Sequence, residues 1–217
     1  MKTYELKRPD PGKTWIEIDG EICGAQPDET GPSGGGPGYQ NLVRPTGKPI
    51  QTLDELIDGL AAAKSGDVLF VDGGAEIDCT ELVYIEELVL NVPGGVTLAS
   101  DRGVESSPGG VIFSDCLKTR PLFRTLGQMV RFTGLRIVGP NPKRCMDHHR
   151  RSFGPPPDHA GGRGHEYYYR FPVSDGIEAL HSDLTVDNCE LSGWSHGAIV
   201  LKEGSGHHIH HNYIHHN

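Results

Sequence analysis

Beyond residue 66 the apolar positions of this 217-residue chain come in short β-branched runs cut by Gly, Asp and Asn, at 68–71, 88–90, 96–98, 111–113 and 130–138. Runs of this length with turn residues between them predict strands. Ahead of them lies the one stretch with helical spacing. Leu53, Leu56, Ile57 and Leu60 recur every three or four positions, and Thr52-Leu53-Asp54-Glu55 is a capping-box pattern, in which hydroxyl and carboxylate satisfy orphan amide donors. A helix is predicted over 52–63, stopping near Gly66. Trp15, Ile16 and Ile18 alternate with polar neighbours and predict one short outlying strand. Gly31-Pro32-Ser33-Gly34-Gly35-Gly36-Pro37-Gly38 predicts a flexible connection. The expected organisation is an irregular Gly/Pro-rich arm over 1–49 and one folded domain over 50–217.

The strand pattern repeats. Residues 122–139 can be laid without gaps on 176–193, which brings Phe123 to Ile177, Phe132 to Val186, Leu135 to Cys189 and Ile137 to Leu191. A further turn starts at Gly197 and sets Ile209, Asn212 and Ile214 in register with Val186, Cys189 and Leu191. The repeat is about 21 to 23 residues with three short strands, the size of a solenoid repeat. One such turn cannot bury its apolar side chains. Stacked at about 4.8 Å, successive turns pair every backbone donor and align the inward residues in columns. Cys189 and Asn212 share a sharp bend, where a small polar residue can satisfy exposed backbone groups. The helix over 52–63 is placed to cap the otherwise open sheet edge.

Thr52-Leu53-Asp54-Glu55-Leu56 followed by Gly66-Asp67-Val68-Leu69-Phe70-Val71, together with 184–193 and 208–214, resembles the right-handed parallel β-helix proteins of the pectate-lyase-like superfamily. The resemblance covers residues 50–217 and implies an all-β fold, a right-handed single-stranded parallel β-helix with an N-terminal capping α-helix. Its members typically carry more coils, so the resemblance implies the amino-terminal part of a longer chain. It also favours an extracellular or cell-surface location, although residues 1–10 hold no apolar core of the signal-peptide type. Function is left wide, because the superfamily includes lyases, hydrolases, epimerases, esterases, viral spikes and spacers.

Composition narrows the classes. Gly (30) and Pro (16) are numerous enough to exclude long helices, and no apolar run reaches the roughly 18 residues of a membrane span. With 20 basic against 29 acidic residues, a net charge of −9, nucleic acid is not the expected partner. Five cysteines with no CxxC pair fit small buried thiols better than a disulfide framework or a metal finger.

One interval breaks the repeat. Phe132 and Val186 are more than two repeats apart, and the surplus falls at 140–174, between the third strand of one coil and the first strand of the next. Long excursions from a regular solenoid are where binding surfaces sit. In the resembling lyases, loops at this corner flank a sugar cleft. This insertion concentrates Lys143, Arg144, Arg150, Arg151, Arg163 and Arg170 with His165 and the run Tyr167-Tyr168-Tyr169, on a chain that is otherwise acidic. Arginine forks bind carboxylates and tyrosine faces stack on sugar rings, so an acidic polysaccharide is the expected partner.

In the same register Phe123, Thr125, Ile177, Ala179, Ala198 and Val200 are expected inward. Arg124, Glu178 and Ile199 are expected in an outward column, with Asp175 and His196 at matching strand entrances. The superfamily's eliminating enzymes neutralise a uronate carboxylate with a cation, often Ca²⁺, and take the C5 proton with a base. On that logic Arg124, His165 and Arg170 are the candidate catalytic residues, with Tyr168 a partner for His165. Arg150, Arg151, Tyr168 and His196 are candidate substrate contacts, and Asp175 and Glu178 would hold Ca²⁺ through oxygen. An outward Arg124 beside Glu178 also reads as a plain cross-coil salt bridge. The expected activity is β-elimination. The alternatives are a glycoside hydrolase using Asp175, Glu178 or Asp187, and a non-catalytic sugar-binding or structural surface module. The terminal histidines 207–216 keep the repeat register and read as a solvated or laddered face, with an adventitious Zn²⁺ or Ni²⁺ site at His208 and His210 as the sharper alternative.

Overall fold

The computed structural model describes residues 15–140 and 172–217, with Asp147, Arg150 and Phe153 between them. At the start, β1 (Trp15–Ile18) and β2 (Glu21–Gly24) form an antiparallel hairpin, where one strand was expected. Asp19 and Gly20 both take positive φ in its two-residue turn, the geometry that an Asp-Gly pair favours. Helix α1 (Leu53–Ala62) follows, with Thr52 Oγ1 accepting from the Glu55 amide at 3.2 Å. The Glu55 carboxylate reaches one residue further back than in a simple capping box, to the Gln51 amide at 2.8 Å.

Fourteen further strands form three parallel sheets. Sheet I holds β3 (Val68–Phe70), β6 (Thr97–Ala99), β9 (Arg131–Thr133), β12 (Thr185–Asp187) and β15 (His208–His210). Sheet II holds β4 (Glu76–Asp78), β7 (Val111–Phe113), β10 (Arg136–Val138), β13 (Glu190–Ser192) and β16 (Tyr213–His215). Sheet III holds β5 (Leu90–Val92), β8 (Phe123–Thr125), β11 (Asp175–Ala179) and β14 (Gly197–Leu201). The chain visits sheets I, II and III in strict rotation, and each strand pairs in parallel with the one a full pass earlier. Each pass is one coil. This is an all-β parallel architecture, compatible with a parallel β-helix-like solenoid.

Register explains the core. Leu98, Phe132 and Val186 stack in sheet I, Ile112, Ile137 and Leu191 in sheet II, and all are fully buried. Burying each such side chain stabilises the fold by about 1.5–3 kcal/mol. Phe123 of sheet III meets Phe132 of sheet I edge-on across the interior, with ring centroids 5.2 Å apart. At the bend from sheet I to sheet II, Gly134, Asn188 and His211 hold positive φ in successive coils. Beside them, Asn212 Oδ1 accepts from the Cys189 amide at 2.9 Å and its Nδ2 donates to the Val186 carbonyl at 2.7 Å, the satisfaction expected of that column. Leu56 and Leu60 of α1 are buried against β3 and β5, the outermost strands of sheets I and III.

Three expectations need correction. A second helix, α2 (Thr80–Glu86), interrupts the passage from β4 to β5, started by the Asp78 carboxylate accepting from the Thr80 amide at 2.8 Å. Ile199 does not face outward: it pairs with Ile177 and packs against the core, so Val200 is the residue beside Glu178. The corner before β14 takes one residue more than the gap-free repeat allows. Finally, the Gly/Pro-rich stretch is laid on the coils. Gly36 donates its amide to Asn188 Oδ1 at 2.7 Å, Arg102 Nη1 donates to the Gly34 carbonyl at 3.1 Å, and Tyr39 is 2% exposed. Gly35 shows why glycine is needed there, since a Cβ on its backbone at φ +66° would lie 2.4 Å from the His211 carbonyl oxygen. Gly31 and Gly35 serve close approach, not slack. Among the described residues no helix is long and apolar enough to cross a membrane.

Candidate functional site

The passage from sheet II to sheet III is the busiest corner of the molecule. It carries α2 in the first coil, residues 114–122 in the second, the insertion in the third and residues 193–196 in the fourth. The insertion leaves after Gly139 and returns before Gly176, and both glycines lie against the fully buried Trp194. A Cβ at Gly139 would fall 2.7 Å from its ring, and one at Gly176 would fall 3.0 Å from it. Ser174 and Ser195 close the return, each donating its amide to the other's hydroxyl oxygen at 2.9 and 3.1 Å. The insertion's two roots are therefore pinned side by side at the end of β11.

There the buried Asp175 accepts on both oxygens. His196 Nδ1 lies 2.6 Å from Oδ1, and Arg120 Nε donates to Oδ2 at 3.1 Å. In its neutral form the ring donates from Nδ1 to this carboxylate and carries its lone pair on Nε2. The ring is 45% exposed, and Nε2 has no partner among the described residues. An oriented histidine with a free, solvent-facing nitrogen can take or give a proton.

One step along the outer face of sheet III, Arg124 Nε donates to Glu178 Oε1 at 2.7 Å and the Lys202 ammonium holds Oε2. Burial works to raise the Glu178 carboxyl, but Lys202 and Arg124 outweigh it and hold the group below the ordinary carboxylate range. Arg124 and Glu178 are register neighbours, so the cross-coil salt bridge is present. Arg124 spends only Nε on it, and its Nη atoms have no partner among the described residues.

Asp175 and Glu178 do not fit Ca²⁺ as arranged. Each oxygen already carries a cationic or imidazole partner, and no group of three or more metal-binding side chains gathers among the described residues. His196 and Asp175, expected in separate roles as substrate contact and metal ligand, form one unit. Arg150 is exposed and pairs with Asp147. His165, Arg170, Arg151 and Tyr168 lie outside the described residues, as does Cys145. Arg120 and Lys202 were not singled out by the sequence. The gap-free repeat begins at Leu122, just after Arg120, and the one-residue slip around Ile199 hid Lys202 beside Glu178.

A second carboxylate cluster sits on sheet I. Asp187, fully buried, takes Arg131 through Nε at 2.8 Å and Nη2 at 2.7 Å, the Tyr39 hydroxyl at 2.7 Å and the Thr133 hydroxyl at 2.9 Å. Burial, then Asp187 itself, push the Tyr39 phenol up, and Asp187 also raises Arg131. The terminal histidines pair with one another along the chain and with carboxylates. His210 Nδ1 meets His211 Nδ1 at 2.8 Å, His211 Nε2 meets Asp28 at 3.0 Å, and His215 Nε2 meets Glu190 at 3.2 Å. Of the cysteines, Cys79, Cys116 and Cys189 are buried free thiols and Cys23 is exposed. Burial pushes Cys79 and Cys189 up to about 12.

No family model matches this sequence, and neither a curated protein nor a solved structure is significantly similar to it.

Proposed function

We propose that this chain is a right-handed parallel β-helix of the pectate-lyase-like kind and that it cleaves an acidic polysaccharide by β-elimination on the outer face of sheet III. The observation that carries the reading is the Asp175-oriented His196, with its open Nε2, at the entrance to the sheet that holds Arg124 and at the root of a cationic, tyrosine-rich insertion. In this mechanism His196 Nε2 takes the proton from C5 of a uronate. The C–H electron pair forms the C4–C5 double bond as the C4–oxygen bond breaks, and the departing oxygen picks up a proton from water. Negative charge builds on the uronate carboxylate as the proton leaves, and the Nη donors of Arg124 are the fixed positive charge that stabilises it. No step is routed through a cation.

The test is spectroscopic. Incubation with a polyuronate is expected to release unsaturated sugar absorbing in the ultraviolet, and His196→Ala to slow that release by about 10²–10⁴-fold. Reducing ends without ultraviolet absorbance would replace elimination by hydrolysis, for which Asp175 and Glu178 are poorly free. A second reading rests on the Arg124–Glu178 bond. If this is only a cross-coil brace, the face is a non-catalytic sugar-binding module, and neither product forms.

A further inference from the structure

A groove of ≈ 350 Å³ lies on the same corner, two to three coils before His196, between α2 and the Cys116–Arg120 segment. Its walls are Val83, Leu88, Val89 and Cys116, and its rim carries Tyr84, Glu87, Lys118 and Arg120. Two features of the rim are not explained by folding. Tyr84 is 76% exposed, on a seven-residue helix that buries only Val83. Lys118 is exposed and has no ion-pair partner among the described residues. The groove is also not isolated. Arg120 lines it and, through Nε, bonds Asp175, so the cationic rim runs directly into the Asp175–His196 pair.

We infer that this groove is a second binding subsite for an acidic sugar unit, with Tyr84 as the stacking platform and Lys118 as the carboxylate contact, so that the polysaccharide lies along the coil axis from Tyr84 to His196. The inference rests on the acidic-polysaccharide reading and adds to it where, and over what length, the chain is gripped. An aromatic face beside a cation matches a uronate, which has an apolar ring face and a charged edge. Glu87, at the end of the helix that carries Tyr84, accepts hydrogen bonds from sugar hydroxyls and repels a misplaced carboxylate, which sets the orientation. From the α2 coil to the His196 coil the stack rises three steps, roughly 15 Å at about 4.8 Å each. A short oligomer therefore cannot fill both ends.

Length dependence is the test. The full chain is titrated with a 1,4-linked diuronate, the corresponding hexauronate and a neutral hexose hexamer. Tyr84→Ala and Lys118→Ala are each expected to weaken hexauronate binding about tenfold, as loss of a stacked ring or a charge-assisted bond does. Diuronate binding should not change, and Lys118→Arg should restore most of the loss. The neutral hexamer should bind weakly and respond only to Tyr84→Ala. Both side chains are exposed, so unchanged unfolding midpoints are expected to accompany the loss. Tight hexauronate binding that neither substitution alters overturns the subsite and leaves the proposed function standing. Wild-type protein that binds neither uronate overturns the acidic-polysaccharide reading itself.

Discussion

Two carboxylates, Asp187 on sheet I and Asp175 on sheet III, are almost equally buried, at 0% and 2%, yet their surroundings differ in kind. Asp187 is closed. Its bidentate arginine, its tyrosine and its threonine use up both oxygens, and the segment around Tyr39 covers them from outside, with Arg131 Nη2 also donating to the Asn41 carbonyl at 3.1 Å. Asp175 is open. Its partners His196 and Arg120 are about half exposed, and each keeps nitrogen atoms without a partner among the described residues. A satisfied network under cover stabilises a fold, whereas an oriented but unspent one is available to a ligand. Partner exposure, not burial of the acid, separates brace from site.

The sharpest way to break this contrast is to delete each acid. Asp187→Ala strands Arg131 beneath the arm and is expected to lower the unfolding free energy by about 3–5 kcal/mol. It should also expose the glycine stretch 31–38 to limited proteolysis, because Tyr39 loses its anchor. Asp175→Ala leaves partners that water can reach, and the expected loss is about 1 kcal/mol. Urea unfolding of the two variants measures both values. Equal losses would erase the distinction.

A smaller change sharpens the closed side. Tyr39→Phe removes one hydrogen bond to a charged acceptor and is expected to lower stability by about 1.5 kcal/mol at neutral pH. Because the Tyr39 phenol is raised in the fold, its contribution is intact below the free tyrosine value near 10 and is lost as pH rises beyond it. The stability gap between wild type and Tyr39→Phe should therefore narrow above about pH 10, measured by thermal unfolding across that range. A gap that is constant through alkaline pH would mean that Tyr39 is not held by Asp187.

How much of this was legible depended on which physical signal each residue carried. The columns through Phe132, Val186 and Ile209 were readable because apolar spacing and strand register are one and the same signal. Helix α2 was not, since Thr80–Glu86 is too short to show a helical period and its start is set by Asp78, outside the helix. The arm was misread because glycine signals both chain freedom and close approach, and only a surface for it to meet, here Asn188 and His211, decides between them. For the site, matching strand entrances placed Asp175 beside His196, but their union into one unit depends on a 2.6 Å contact that spacing alone does not specify. Lys202 stands one residue beyond β14 and Arg120 three residues before β8, outside the strands that the repeat defines, and that is why the sequence shows fewer cations on this face than the fold does.

The smallest expected effect concerns Glu178, which lies between the two extremes: buried like Asp187, but paired with the part-exposed Arg124 and Lys202. Its carboxyl is lowered in the fold, so its stabilising contribution is complete above the ordinary value of 4.5 and disappears as pH falls through the lowered one. Glu178→Gln should cost less than about 1 kcal/mol at pH 7, since water and salt compete for both cations. The difference from wild type should shrink as the pH is lowered below 4.5. If Glu178 belongs to the open face, the substitution also frees Arg124 and tightens hexauronate binding while stability barely moves. A loss comparable with that of Asp187→Ala would instead class Arg124, Glu178 and Lys202 with the braces, and Arg124 would then be withdrawn as the group that meets the uronate carboxylate.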